Sequence, residues 1–407
     1  MEYTPKYLVM VTSQNNNKFY KMEPQGDHFR VEFGRVGAGS QIASYPISQW
    51  NKKYNEKIKK GYVDRTDLVQ DLIEKKAAPS ASPDGYRAIE NAAIAEIVSR
   101  LQAMAKKAVA ENYTISSSKV TMAMVDEAQR VLVSLMDCKD VESFNRTLLN
   151  LYGVIPRKMG NVASYMARST DEFGKIIQRE QDLLDVMKGQ VYVPPKQDTT
   201  QDTTQDGVED KGETILQAKG LAFEEADADD IAVIKSALGS CADKFHRAWR
   251  VRNLATQSAF DSFVKKDAIR TKLLWHGSRN ENWWSIISSG LVLRPTNAVI
   301  TGKMFGYGIY FATKARKSLG YTSLTGSYWA RGSSSSAFMG LYEVAYGKPF
   351  DVHSFDSKYY GLNYDKLQQM CPGAHCLHAH EGQMLRNDEI IVYQECQTTI
   401  KYLVELK

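Results

Sequence analysis

LLWHGSR (273–279) reads as a short apolar strand that ends on His276 and is followed at once by Gly277 and Ser278. Three downstream segments share this layout, a polar residue set among glycines or at the edge of an apolar run. GKMFGYGIYFA (302–312) brackets Tyr310 with glycines. KSLGYT (317–322) offers Lys317, Ser318 and Tyr321, and NDEIIVY (387–393) opens a strand on Glu389. LYEVAY (341–346) and TIKYLVEL (399–406) are further strand candidates, and ENWWSIISSG (281–290) is a short helix stopped by Gly290. Short strands alternating with glycine turns predict an α+β domain over 214–407, with a largely antiparallel sheet. Taken singly, each polar residue is weak evidence, because a lone histidine or tyrosine is more often a packing or surface residue.

Upstream, VPPKQDTTQDTTQDGVEDKGE (193–213) holds a near-perfect QDTT repeat, with two lysines against six acids. So little apolar content cannot form a core, and an acidic linker is expected. AAPSASPDG (77–85) reads as a second linker. Between them, 86–192 is helical by periodicity. Ile89, Ala93, Ile97, Leu101, Met104 and Ala108 recur at intervals of three and four. Ser116 to Ser118 can cap a second helix carrying Val120, Met124, Ala128, Val131 and Leu135. Further helices carry Phe144, Leu148 and Leu151, then Phe173, Ile177 and Leu184. Residues 1–76 read as β-rich. In HFRVEFGRVG (28–37), Phe29, Val31 and Phe33 alternate with Arg30 and Glu32, the pattern of a half-buried strand. A helix follows in which Trp50, Tyr54 and Ile58 are expected to face the core.

The chain has 407 residues with 43% hydrophobic content, which suits two or three domains and excludes wholesale disorder. No run approaches the ~18 apolar residues of a membrane helix, and no signal peptide is visible. Five scattered cysteines (Cys138, Cys241, Cys371, Cys376, Cys396) suit a reducing compartment, so an intracellular protein without membrane partners is expected. The net charge of +5 is uneven: 1–78 holds thirteen Lys/Arg against nine Asp/Glu. Lys52, Lys53, Lys57, Lys59, Lys60 and Arg65 form a basic stripe that suits a polyanion, the alternative being a solvated helix face. The phosphate-loop, H-E-x-x-H, G-x-S-x-G and G-x-G-x-x-G signatures are all missing. CPGAHCLHAH (371–380) gathers Cys371, His375, Cys376, His378 and His380. Adjacent ligands such as His375 and Cys376 rarely reach one ion, so a polar loop and no metal are expected.

Together, LLWHGSR, GKMFGYGIYFA, KS-x-x-Y, YEVAYG (342–347) and DEIIVY resemble, in order, the catalytic domain of poly(ADP-ribose) polymerases. KFHRAWRVRNLATQSAFDSF (244–263) looks like the segment leading into the histidine strand. FGRVGAG (33–39), followed by W-x-x-K-Y-x-x-K-x-K-K-G-Y (50–62), is similar to the family's WGR domain, with Phe33 in place of its signature tryptophan. YGVIPRKMGNVASY (152–165) resembles, more loosely, part of its helical regulatory domain. The resemblance implies a WGR-like domain (1–76), a helical regulatory domain (86–192) and an ADP-ribosyltransferase domain (214–407).

It further implies that NAD⁺ is consumed as a substrate, with ADP-ribose passed to acceptor proteins, the enzyme itself included. Gly277, beside Ser278, and Ser318 would hold the nicotinamide carboxamide, Tyr321 and Tyr310 would flank the ring, and His276 would hold a ribose hydroxyl. Glu389 would favour the developing cation and act as base, and Lys317 would steady the diphosphate or that carboxylate. Family members that keep the glutamate are associated with chain elongation, which favours polymer; the divergent loop 351–388 leaves single transfer as an alternative. A catalytically silent scaffold binding DNA ends is another, and a secreted toxin a third. For DNA with strand breaks the expected contacts are Phe33, Arg35, Trp50, Lys52, Lys53 and Lys57. Location follows the source: nuclear in a eukaryote, cytoplasmic in a bacterium.

Overall fold

The computed structural model describes residues 3–69, 86–114, 120–191, 212–293, 304–326, 332–382 and 385–407. The linker 77–85, residues 193–211 of the second linker, and Ser116 to Ser118 lie outside the described residues. The chain forms two compact units, Met1–Pro83 with Lys106–Val191, and Asp84–Ala105 with Tyr192–Lys407. The division falls within the helix Ala92–Asn112, so the helical block contributes to both.

In the first unit, β1 (Lys6–Thr12), β2 (Asn16–Gln25), β3 (His28–Arg35), β4 (Gln41–Pro46) and β5 (Val63–Asp64) form a sheet ordered β4-β3-β2-β1-β5. Its alternation buries Phe29 and Val31 with Leu8, Tyr20 and Met22. Trp50 opens the helix Trp50–Lys59 and packs on the rings of Phe29 and Tyr3 at 5.1 and 5.3 Å. Of the stripe expected to face the core, Trp50 is buried and Tyr54 half-buried, but Ile58 is exposed. Lys57 takes that place instead: its ammonium lies over the rings of Tyr20, Tyr62 and Phe33 at 4.0, 5.3 and 5.7 Å.

The helices Met122–Ser134, Val141–Val154 and Phe173–Val191 bury the faces read from their periodicity. Thr121 and Asp140 cap the first two, their side chains accepting from the backbone N–H of Met124 and Ser143. In Ala92–Asn112 the buried stripe is Ile94, Ile97, Val98, Leu101, Ala105 and Val109, while Ala93, Met104 and Ala108 are half-buried. Larger aliphatic side chains at 94 and 98 pull the face one position from the alanine-based reading.

Among the described residues, the second unit carries a sheet ordered β11-β12-β13-β9-β8-β10-β14-β7-β6. Its strands are β6 (Leu221–Glu225), β7 (Phe245–Asn253), β8 (Thr271–Gly277), β9 (Ile309–Ala312) and β10 (Ala337–Ala345). β11 (Pro349–Val352), β12 (Cys376–Ala379), β13 (Glu389–Val392) and β14 (Thr398–Leu406) complete it. Neighbours are antiparallel except β11 and β12, which run parallel. The expected polar loop at 371–380 is therefore corrected: 376–379 is a strand with every residue buried, because Cys376, Leu377 and Ala379 pack between two neighbours. Also within this unit, Arg100 of the helix Ala92–Asn112 reaches Glu405 of β14 through both carboxylate oxygens, at 2.6 and 3.3 Å. Among the described residues, no helix is long and apolar enough to cross a membrane.

Candidate active site

The polar residues picked out by their strand ends converge on β8, β9, β13 and the helix Ala315–Leu319. His276 lies next to the end of β8, where its Nδ1–H donates to the Tyr310 carbonyl at 3.0 Å. That bond orients the imidazole and fixes the proton on Nδ1. Tyr310 sits in β9 with its hydroxyl donating to the Gly306 carbonyl and accepting from the Phe305 N–H, both at 3.1 Å. Burial pushes this phenol well above its ordinary range, helped by the charge of Glu389, so it is a neutral hydrogen-bonding group at working pH.

Glu389 is the first residue of β13 and stands opposite Ala312 of β9. Its carboxylate pairs with the Lys317 ammonium, both side chains being largely shielded from solvent. Ser318, the next residue, is buried, and its hydroxyl donates to the Trp275 carbonyl at 3.1 Å. Tyr321 follows one turn on; it keeps 41% of its surface exposed, and burial first, then Glu389, raises its phenol. Gly277 is required by close approach: a Cβ there would stand 2.0 Å from the Ser318 carbonyl oxygen. Ser278 accepts from the Asn282 side-chain amide at 3.0 Å. These residues thus form one polar cluster walled by aromatic side chains. Phe311 and Tyr342 stand edge-on to the His276 ring at 5.8 and 6.0 Å.

The residues assigned to DNA fare differently. Trp50 takes the core place its helical period gave it and not the DNA contact, 4% exposed, since its ring closes the small sheet's hydrophobic face. Phe33 is half-buried, with its ring against Tyr20 at 5.8 Å and near the Lys57 ammonium. Arg35 spends its guanidinium inside its own unit, donating to Asn15 and to the carbonyls of Met159 and Gly160. Lys52 is exposed, and Lys53 lies over the Tyr45 ring at 4.5 Å. The sequence reading missed Asp351 and Asp388 beside His378; a His-x-His pair on one strand face was the available signal.

The chain matches the poly(ADP-ribose) polymerase catalytic domain over residues 230–407 and the WGR domain over 5–69. It is 24% identical to poly [ADP-ribose] polymerase 2 of Homo sapiens over 97% of this chain and 77% of that one. It belongs to the poly(ADP-ribose) polymerase family. Two proteins of Invertebrate iridescent virus 6 are also similar. The uncharacterized protein 101L is 37% identical over 45% of this chain and 76% of its own length. The putative poly [ADP-ribose] polymerase-like 100L is 29% identical over 45% of this chain and 97% of its own. Every residue of the polar cluster lies within the matched catalytic domain. The larger unit is therefore an NAD⁺ ADP-ribosyltransferase domain of this family, and the small sheet is its WGR domain.

Proposed function

We propose that this protein transfers ADP-ribose from NAD⁺ to proteins, itself included, elongates it to poly(ADP-ribose), and is stimulated by DNA breaks. The observation that carries the reading is Glu389 at the start of β13, paired with Lys317 beside the His276–Tyr310 hydrogen bond. Nicotinamide loss leaves positive charge on the ribose, and a carboxylate held at that point stabilises it. The same carboxylate takes the proton of an incoming ribose hydroxyl, which elongation requires. The Gly277 backbone and the Ser318 hydroxyl hold the carboxamide, Tyr310 and Tyr321 flank the ring, and His276 binds a ribose hydroxyl. Lys317 holds the Glu389 carboxylate in place through their ion pair.

Labelled NAD⁺ incubated with the purified protein, with and without nicked or blunt DNA, tests both halves. Ladders that intensify with broken DNA are expected; single bands would mean mono-transfer, and no label at all a silent scaffold. In a eukaryotic cell this activity belongs in the nucleus, and in a bacterium on the chromosome.

Two variants sharpen the reading. Gly277→Ala has no relaxed solution, because the obstacle is backbone and not a movable side chain. Parting the strand end from the helix by about 1 Å is expected to lower kcat/KM about 10²-fold; steady-state kinetics of the folded variant that match wild type would put the nicotinamide slot elsewhere. Replacing Lys52, Lys53 and Lys57 together by Ala removes three positive charges from the stripe. DNA affinity and DNA stimulation should fall together, with a shallower salt dependence of binding. Unchanged stimulation would make the stripe a solvated face.

A further inference from the structure

The register of the sheet edge collects side chains that are scattered in the sequence. Asp351 of β11 stands opposite His378 of β12, and His378 stands opposite Ile390 of β13. Because strand side chains alternate, Asp351, His353, His378, His380 and Asp388 share one face there, and Glu389 turns to the other. The imidazoles of His378 and His380 stack at 3.8 Å between centroids, and His353 stacks on His380 at 4.3 Å. Asp351 Oδ1 lies 2.7 Å from His380 Nε2 and 3.7 Å from His378 Nδ1. One ligand atom from each of the three lies within 4.8 Å of the other two.

Three features go beyond proximity. First, the ligand atoms of a tetrahedral zinc with bonds of ~2.0–2.1 Å are ~3.3 Å apart, and the separations of 2.7 and 3.7 Å bracket that value. Second, His378 Nε2 faces the Asp388 carboxylate at 3.2 Å. A proton on Nε2 leaves Nδ1 as the ring's acceptor, met by the Tyr346 hydroxyl at 2.9 Å with Asp351 Oδ1 at 3.7 Å, and an outer carboxylate of this kind is what orients metal-ligating histidines. Third, His378 is buried while Asp351 is exposed, so one side is rigid and the other open to an entering ion.

We propose that Asp351, His378 and His380 bind one divalent transition-metal ion of the zinc class, with Asp388 orienting His378. Two imidazoles and one carboxylate suit zinc, copper or nickel, whereas calcium and magnesium prefer all-oxygen sets. The Tyr346 hydroxyl, 2.9 Å from His378 Nδ1, yields that nitrogen to the ion. The fourth position is left to water. The site revises the expectation of no metal, which counted ligands within 371–380 alone; the third ligand comes from β11. The ion ties β11 to β12 beside Asp388, the residue before Glu389.

The test is calorimetric titration of the untagged full chain, stripped with chelator and then given Zn²⁺. One ion per chain at micromolar affinity or tighter is expected. His380→Ala and Asp351→Asn should each weaken binding at least ~50-fold and Asp388→Asn ~10–100-fold, with His375→Ala unchanged. Bound Cu²⁺ should show two nitrogens in its paramagnetic resonance spectrum, falling to one in His380→Ala. Circular dichroism identifies folded variants, and Asp351→Asn, a change at an exposed carboxylate, carries the test if a histidine variant unfolds. No saturable binding by the wild type, or undiminished binding by folded Asp351→Asn, overturns the site.

Discussion

Glu389→Gln is expected to abolish chain elongation while leaving slow single transfer or NAD⁺ hydrolysis measurable. The amide is nearly isosteric with the carboxylate and can still accept a hydrogen bond, so β13 and its pairing with β9 should persist. It cannot take a proton from an incoming hydroxyl, and it no longer pairs charge with Lys317. Loss of a general base typically costs ~10²–10⁴ in rate. On the proposed mechanism cation stabilisation is shared with His276 and the tyrosines, so it should survive in part. By contrast, His276→Ala removes the imidazole held by the Tyr310 carbonyl and should weaken NAD⁺ binding itself. A time course with labelled NAD⁺, counting released nicotinamide apart from polymer, separates the two variants. Ladders built by Glu389→Gln at the wild-type rate would assign the base to another residue.

Arg100→Ala should destabilise the larger unit by about 3 kcal/mol at neutral pH, the low end of the range for breaking a buried ion pair. The Glu405 side chain is 1% exposed and Arg100 36%, so the loss strands a carboxylate that water can reach only partly. In the wild type, burial pushes the Glu405 carboxyl up, but the Arg100 hydrogen bond and charge outweigh it and hold the pKa below its ordinary value. The pair's contribution is therefore complete above the unfolded pKa and is lost as pH falls through the folded one. Without Arg100 the burial penalty gains the upper hand, the folded pKa rises, and the penalty eases once acid protonates Glu405. The gap between variant and wild type should thus be widest near pH 7 and narrow toward pH 4 in urea or thermal melts. A gap that widens with acid would mean that Arg100 acts by packing and not by charge.

The reach of the sequence follows the range of the interactions. Apolar runs ending on His276 and Glu389, the glycines around Tyr310, and the stripes of the helices bearing Met124 and Phe144 are set by neighbours a few positions away. Such features are legible because alternation and helical period are local. The reading failed where a longer-range partner intervened. Ile58 lost its core place because Lys57 found three aromatic rings to cover. Cys376–Ala379 looked polar by composition and became a buried strand because two neighbouring strands enclose it.

By itself, then, the sequence determined the α+β class of the larger unit, the β-rich start, the helical middle and the residue types of the polar cluster, since each rests on local spacing and side-chain chemistry. Only the tertiary structure decided what those residues touch. It turned Arg35 inward onto carbonyls more than a hundred positions away and joined Arg100 to Glu405 across 305 positions. It set Lys317 against Glu389 and brought Asp351 to His378 and His380. The physical reason is that a charged group's partner is chosen by strand register and sheet order, and these are fixed by burying apolar faces over the whole domain.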